Sequence, residues 1–556
     1  MKAWTSVSGP IKTLFSDPVS KALVKYRDHP SIIKIRSYFG EESTFNFSEV
    51  TAEKVNKIVM SLNSSKATSG NISTKLIKLA SKVCSPKLAS CINSAIKSAK
   101  FPDPLKFAKV TPVFKKGDQT LVQNYRPISI LPTVSKIFEK VLASQLEEHF
   151  KTRFSNLLCG FRKGYSSQHA LLRLLQNWQS NLDKSNVIGT VLMDLSKAYD
   201  CLPHDLLIAK LAVYGIDHHS LTLLHDYLLN RFQRVKIGNS FSEWLKILIG
   251  VPQGSILGPL LFNIFINDLL FSILNADICN FADDNTLYTS GKSADNVTSV
   301  LQCEIENVLN WFELNSMVAN PAKFQIMFLG TKESISNFNI QNISVPVSDH
   351  VKLLGIKIDS NLNFKSHIND ICNKAAGKTR ALLRIRPFIS QNVAKSLCNA
   401  YVLSQFNYCP VIWMACDNLS NAKINKVHLR ALRTIQGNFK LDLAELMVLQ
   451  NEVTIHVKCI WKLLTEVYKS CHGLNPPLIC DLFQTKNSGY TLRSGHQLTL
   501  PPTKTKTFGL RSKSFMGSLL WNKLPKEIKE AKSVSNFKTL LKRLGSSCCN
   551  CSLCTA

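Results

Sequence analysis

The feature that most constrains this chain is a pair of adjacent aspartates, Asp283 and Asp284, set between two β-type apolar runs. The run Ile278–Phe281 ends at them and Thr286-Leu287-Tyr288 resumes beyond, so the segment reads as a hairpin with the acids at its tip. Neighbouring like charges repel, and such a pair is unfavourable unless a cation bridges it. Mg²⁺ favours a few carboxylates completed by substrate phosphates, which this motif can supply. Taken alone, an Asp-Asp pair is as consistent with an ordinary turn.

A second acid bears on the choice. The apolar run Val187–Met193 reads as a strand, and Asp194 follows it ahead of Leu195-Ser196-Lys197-Ala198-Tyr199-Asp200. An Asp at a strand end points its carboxylate out of the sheet edge; the plainer reading is a helix N-cap. If this strand lies beside the acidic hairpin, Asp194 and Asp283 can share two metal ions. Two ions about 3.5–4 Å apart stabilise the attacking and leaving oxygens of an in-line phosphoryl displacement. A third element is Gly250-Val251-Pro252-Gln253-Gly254-Ser255-Ile256-Leu257-Gly258-Pro259, followed by apolar residues. Gly254 and Gly258 permit close backbone approach to a ligand. Gln253 can hydrogen-bond along a nucleotide edge, and Pro259 suits the first turn of a helix.

Bulk properties narrow the partners. The net charge of +30 opposes compaction unless a polyanion neutralises it, which points to nucleic acid first and an acidic membrane surface second. At 556 residues the chain is too long for one core, so two to four domains are expected. No secretory leader is visible at the N-terminus, and the 17 cysteines, mostly single, read as reduced thiols inside a cell. The most apolar stretch, Ile256–Ile278, holds Asn263, Asn267, Asp268 and Asp277, which a membrane span tolerates poorly, so it reads as a buried helix.

Along the chain, residues 1–90 read as mostly helical and polar. From Phe101 to about Gly330, strand-like runs (Val110–Phe114, Val187–Met193, Ile278–Phe281, Phe324–Leu329) alternate with helical patterns. Val351–Ile358 is one more strand-like run. Ser366–Phe388 reads as an amphipathic helix with Ile371, Ala375, Leu382 and Ile385 as its apolar stripe and Arg380 and Arg384 opposite. From Gln484 to Arg543, thirteen Lys or Arg face two acids, Glu527 and Glu530: a phosphate-binding surface or a solvated tail. Cys548, Cys551 and Cys554, with Cys549 beside them, lack the fourth well-placed ligand of a zinc knuckle.

Asp194…Tyr199, Pro252-Gln253-Gly254 and Phe281-Ala282-Asp283-Asp284 stand in the order of reverse-transcriptase palm motifs A, B and C. Asn124-Tyr125-Arg126-Pro127-Ile128-Ser129 with Ser135-Lys136-Ile137-Phe138-Glu139-Lys140, and Gly160-Phe161-Arg162 through Ala170, resemble the fingers motifs of non-LTR enzymes. Asn320-Pro321-Ala322-Lys323 resembles motif D, Leu353-Leu354-Gly355-Ile356 the primer grip, and Trp521-Asn522-Lys523-Leu524-Pro525 with Phe537-Lys538 the ending of jockey-like proteins. The chain therefore resembles non-LTR, LINE-type (jockey-like) retrotransposon reverse transcriptases from about residue 45 to 545.

The resemblance implies an α+β right-hand polymerase, fingers–palm–thumb, with an antiparallel palm sheet and a largely helical thumb and C-terminal region. It implies an N-terminal extension over 1–90, fingers and palm over 91–360, a thumb over 361–445 and a basic C-terminal region over 446–556. The implied activity is that of an RNA-directed DNA polymerase, with two Mg²⁺ ions held by Asp194, Asp283 and Asp284. Tyr199 matches a steric gate that favours dNTPs, Gln253 and Gly254 a nucleotide- or template-contacting loop, and Lys323 a proton donor to pyrophosphate or an ordinary turn lysine. Arg126 and Arg162 match triphosphate or template contacts, or structural ion-pair partners. The implied partners are an RNA template, a DNA primer and dNTPs, with no membrane, and the implied place of work is the nucleus.

Departures matter. Where relatives often carry a Gly-Pro-Asp-Gly-like turn, this chain has Ser69-Gly70-Asn71-Ile72. No endonuclease pattern precedes residue 45 and no RNase H pattern follows the thumb, so the sequence reads as a 5′-truncated copy or the downstream part of a longer product, its nick supplied elsewhere. The alternatives are a catalytically inactive nucleic-acid-binding remnant and an RNA-dependent RNA polymerase; Tyr199 and the Phe-Ala-Asp-Asp sequence argue against the latter.

Overall fold

The computed structural model describes residues 17–40, 45–69, 72–196, 198–333, 335–486 and 497–545. In chain order the strands are β1 (Phe107–Phe114), β2 (Tyr125–Ile130), β3 (Val187–Ser196), β4 (Arg231–Ile237), β5 (Ser240–Phe241), β6 (Leu245–Ile247), β7 (Asp277–Phe281), β8 (Asp284–Gly291), β9 (Val318–Ala319), β10 (Gln325–Leu329), β11 (Asn337–Ile340), β12 (Ile343–Pro346), β13 (His350–Leu353) and β14 (Ile356–Asp359). The helices that matter below are α1 (Thr133–Phe150), α2 (Ser167–Asp183), α3 (His204–Val213), α4 (His218–Leu228), α5 (Leu257–Ile266), α6 (Lys365–Ile385), α7 (Asn418–Gln436), α8 (Ile455–Cys471), α9 (Lys513–Lys523) and α10 (Val534–Leu544). The chain is thus α+β, and it divides into two compact units, each built from several segments.

The first unit comprises residues 1–161, 194–274 and 306–320. Its sheet runs β2-β1-β4-β5 with β6 on β4. β1 pairs with β2 antiparallel and with β4 parallel. Alternation along β1 sends Ala108 and Val110 into the core, and α5 is buried along almost its whole length. The expected buried helix over Ile256–Ile278 is cut to Leu257–Ile266, because its polar residues are recruited for specific bonds. Asn263 donates to the Gly160 carbonyl at 2.8 Å, and Asn267 to the Arg153 carbonyl and the Tyr214 hydroxyl, both at 3.0 Å. Asp268 accepts from Lys210 Nζ at 2.6 Å and from Trp311 Nε1 at 2.8 Å, all deep in the core. Burial brings the Lys210 ammonium down to about 8 against the opposing pull of Asp268. Among the described residues no helix is long and apolar enough to cross a membrane.

The second unit comprises residues 162–193, 275–305 and 321–556. Its main sheet runs β10-β3-β8-β7. β3 reads as a central strand because residues 187–193 are buried on both faces. The strand-like run 351–358 is a hairpin, β13–β14, rather than one strand: Leu354 and Gly355 both take positive φ and reverse the chain in two residues. α6 stops at Ile385, and Ile385 is 44% exposed, so the apolar stripe is Ile371, Ala375 and Leu382 without it. Arg380 and Arg384 are exposed as expected.

The basic stretch after Gln484 is folded over its described part. His169, Gln176 and Asp183 recur every seven residues along one face of α2. His169 Nε2 lies 3.3 Å from Glu466 of α8, Gln176 exchanges hydrogen bonds with Ser514 of α9, and Asp183 accepts from the amides of Lys504 and Thr505. Burial pushes the Asp183 carboxyl up, yet those amides hold it below the usual carboxylate range. Trp521 and Phe537 are buried, and Phe537 stacks on Tyr468 at 4.4 Å. Lys513 departs from the phosphate-binding expectation: it is buried, donates to the Arg511 carbonyl at 3.2 Å, and is brought down to about 8 by burial. Arg493 and the Cys548–Cys554 cluster, like Gly70 and Asn71, lie outside the described residues.

Two stability measurements follow. Asp268→Asn leaves Lys210 buried without its anion, and denaturant unfolding should show a loss of about 3–5 kcal/mol. Lys513→Met removes a cation whose folded pKa lies below its unfolded value. The folded state therefore bears the full cost, roughly 3 kcal/mol, below about pH 8; this cost fades as pH rises from about 8 to 10.5 and is gone above the unfolded value. The melting temperature of Lys513→Met should exceed that of wild type at pH 7 and converge with it above about pH 10.5; equal gains at both pH values would contradict the assignment.

Candidate functional site

In the first unit the loop between β6 and α5 is fixed from three sides. The Val251 amide donates to the Tyr199 carbonyl at 2.8 Å, and the Gly250 amide to the Leu202 carbonyl at 2.8 Å. The Ser129 amide of β2 donates to the Gln253 carbonyl at 2.7 Å. Glu139 of α1, fully buried, accepts from the amides of Ile256 at 2.6 Å and Leu257 at 3.2 Å and from Ser135 Oγ at 3.0 Å. A carboxylate on the first amides of α5 satisfies donors that the helix itself leaves open. Gly254 has φ +129°, and a Cβ there would lie 2.4 Å from the Ser129 carbonyl oxygen, so no other residue fits without moving β2. Gln253 is half-buried and its Nε2 donates to the Asp200 carboxylate at 3.2 and 3.3 Å.

Tyr199 is half-buried, its ring stacked on Phe262 of α5 at 4.9 Å and meeting Phe161 edge-on at 6.2 Å. Two rings at these angles hold it in one orientation. Asp194 is exposed and lies within β3, two residues before its end. The next helix, α3, begins only at His204 after Pro203, so the N-cap reading of Asp194 is set aside. Arg126 is exposed on β2, three residues before Ser129.

In the second unit β7 and β8 form the expected hairpin, with Phe281 opposite Asp284 and Asn280 opposite Asn285. The two-residue turn is Ala282-Asp283; Asp284 is already the first residue of β8. Ala282 has φ +62°, a left-handed conformation costing an L-residue about 1–2 kcal/mol. Side chains below the turn offset this. Asn280, buried, donates to the Ala282 carbonyl and to Asn285 Oδ1, both at 2.8 Å, and Asn285 Nδ2 approaches the Asp283 carbonyl at 3.4 Å. Asp283 is exposed and Asp284 half-buried. Arg162 covers the Tyr165 ring at 4.4 Å, and Lys323 is exposed in the short turn Pro321–Lys323.

The donor chemistry of the hairpin fits a hard divalent cation: adjacent carboxylates with solvent access. Among the described residues no group of three or more His, Cys, Asp or Glu side chains is placed to hold a metal ion, so Asp194, Asp283 and Asp284 are not brought together as one ligand set. The predicted residues thus divide. Asp194, Tyr199, Gln253, Gly254 and Arg126 belong to the first unit, where Tyr199, Gln253 and Gly254 are joined through one loop; Asp283, Asp284, Arg162 and Lys323 belong to the second. Sequence reading missed the supports: Asp200 on Gln253, Glu139 under the loop, Phe262 beside Tyr199, and the Asn280–Asn285 pair. The only available signal for the last was an Asn on each side of the acidic turn.

Part of the chain matches a known family. Residues 113–358 match the family described as Reverse transcriptase (RNA-dependent DNA polymerase). The chain is similar to the Probable RNA-directed DNA polymerase from transposon BS of Drosophila melanogaster, at 26% identity over 63% of this chain and 40% of that one. It is similar to the corresponding X-element protein of the same organism, at 24% identity over 62% and 38%. It is also similar to the RNA-directed DNA polymerase from mobile element jockey, at 25% identity over 66% and 42%. The chain thus spans well under half the length of these relatives.

The clamp on Gly254 can be tested without turnover. Gly254→Ala should raise hydrogen exchange of the Ser129 amide at least about tenfold by opening its bond to Gln253, with the overall circular dichroism kept. Exchange equal to wild type would show that the loop absorbs a Cβ.

Proposed function

We propose, for a chain whose residues 113–358 belong to the reverse transcriptase family, that it extends a DNA 3′ end on an RNA template by two-metal nucleotidyl transfer. The observation that carries this reading is the family match itself, whose span includes every acid, the Gln253-Gly254 loop and Tyr199 in one uninterrupted frame. In this reading residues 91–360 serve as fingers and palm, 361–445 as thumb, and 446–556 as a basic C-terminal region following an N-terminal extension over 1–90.

Asp194, Asp283 and, in a supporting or direct role, Asp284 are the carboxylates that would hold the Mg²⁺ ions. When bound, the ions supply charge neutralisation at the phosphates and an activated primer hydroxyl. The chain's own residues do the rest. Tyr199, fixed by Phe262, fills the space a ribose 2′-hydroxyl requires and so selects dNTPs. Gln253, steadied by Asp200, contacts the nucleotide or template edge. Arg126 and Arg162 neutralise triphosphate or template phosphates, and Lys323 gives a proton to the departing pyrophosphate. Phosphate contacts dominate affinity for template–primer, which is therefore salt-dependent and largely sequence-independent. In this reading the work is done in the nucleus.

The test is extension of a DNA primer on an RNA template with Mg²⁺ and dNTPs. Asp283→Asn should lower the rate at least about a hundredfold, close to 3 kcal/mol of barrier, with template–primer affinity kept. Tyr199→Ala should raise rNTP incorporation at least about tenfold relative to dNTPs. Salt-sensitive template–primer binding without extension by wild type would favour the inactive-remnant reading, and wild-type extension with rNTPs would remove Tyr199 as a gate.

A further inference from the structure

In the first unit the helices Thr74–Leu79 and Ser81–Ser98 follow one another with only Ala80 between them. Their inner face is an ordinary one. Ile77, Ser81, Ser85, Ala89, Ile92 and Ile96 recur at three- and four-residue steps and are buried. The outer face departs from the usual pattern. Leu76, Leu79 and Val83 recur along it at the same steps and are 54%, 78% and 71% exposed. Ile72, four residues ahead of Leu76, is 52% exposed. One exposed leucine needs no explanation, but a row of aliphatic side chains does, since burying each one gains about 1.5–3 kcal/mol.

Beyond Val83 the same face turns concave. Ala52 of the helix Ala52–Ser61 and Pro86, Ala89, Ser90, Asn93 and Ser94 line a shallow groove of about 700 Å³. Glu49 and Lys97, paired at 2.9 Å, sit at its far end. An aliphatic ridge that runs into a groove floored by small side chains, along one line of helix, is a surface against which a second helix packs.

Charge identifies the kind of helix. Lys75, Lys78, Lys82 and Lys87 flank the ridge, and among the described residues none of them is held in an ion pair. The local sequence offers no counter-charge, for from Lys54 to Pro102 there are nine lysines and no Asp or Glu. A nucleic acid would meet the charge but gain nothing from the ridge, whose aliphatic side chains give bases no ring to stack on. A lipid surface would cover the ridge and leave the groove empty. Carboxylates spaced along an amphipathic helix match ridge, groove and lysines together.

We propose that this face docks an acidic amphipathic helix of a partner protein. Its apolar side chains lie on Leu76, Leu79 and Val83 and continue into the groove, and its carboxylates meet Lys75, Lys78, Lys82 and Lys87. The apolar contact supplies most of the affinity, and the charges set encounter rate and register. The docking uses none of the residues assigned to polymerisation and stands whether or not the chain extends primers.

The experiment uses the full chain with saturating unlabelled template–primer duplex, so that nucleic-acid surfaces are filled before a peptide is scored. The probe is a labelled helical peptide of about five turns, with leucine at three- and four-residue steps and glutamate beside them. Fluorescence anisotropy should show it binding wild type at least about tenfold tighter than a scrambled peptide of the same composition. Leu79→Gln with Val83→Gln, both at exposed positions, should weaken the ordered peptide at least about tenfold and leave oligo-U RNA and phosphatidylserine-containing vesicles within about twofold. Lys75→Gln with Lys82→Gln should weaken it too and flatten its salt dependence. Equal binding of the two peptides by wild type, or unchanged affinity in the Leu79, Val83 variant, overturns the proposal. A parallel loss of RNA or vesicle binding in that variant overturns it in favour of a nucleic-acid or membrane surface. Should the variant fail to fold, crosslinking from a photoreactive phenylalanine in the peptide to wild type decides: adducts within residues 72–97 support the docking face, and adducts confined to other segments overturn it.

Discussion

A single buried carboxylate organises the first unit around its loop. Glu139 takes two backbone amides at the start of α5 while Ser135 fills its other oxygen. Without that acceptor, the first turn of an almost wholly buried helix would carry open amides in an apolar core, a cost of about 1–3 kcal/mol for each. With it, α5 begins at one residue, and the preceding Pro252-Gln253-Gly254 is delivered against β2 on one side and the Tyr199-Asp200 turn on the other. Tyr199 then leans on Phe262, the sixth residue of the same helix. Tyr199, Gln253 and Gly254 therefore share one support.

The second unit solves a different problem, which is to hold two like charges next to each other on a strained turn. The strain sits at Ala282, in a conformation an L-residue avoids, and Asn280 and Asn285 brace it from beneath with amide bonds that carry no charge. These braces carry no charge of their own, whereas a lysine or arginine in the same place would pair with the carboxylates. The same unit incorporates the basic C-terminal stretch through α2, whose Gln176 and Asp183 bind two parts of it. A segment whose composition looks like a solvated tail is thereby part of a packed body, and one of its lysines, Lys513, is spent inside.

Local pattern made much of this legible. Strands β1, β3, β7 and β10 follow from apolar runs, α6 from a stripe at helical spacing, and the acidic hairpin from two β-type runs separated by a turn. Motif order then points to the chemistry, because Asp194, Tyr199, Gln253, Gly254, Asp283 and Asp284 each sit in a short, locally recognisable string. What local pattern misjudged were boundaries set by backbone reversals. Leu354-Gly355 splits one apparent strand into two, since positive φ at a leucine has no compositional signature. Ile385 falls off its stripe because the helix ends there.

Which acidic, aromatic, amide and basic side chains stand together in each motif is legible from short strings of neighbours. What holds those side chains in place depends on how distant segments pack. Glu139 meets Ile256 across more than a hundred residues, Ser129 meets Gln253, and Phe107 comes to lie on Phe232 through a parallel pairing that no local pattern encodes. Such contacts arise from how the sheet and helices close a core, and burial then decides which charges are neutralised inside, as at Lys210 and Asp268, and which are left facing water.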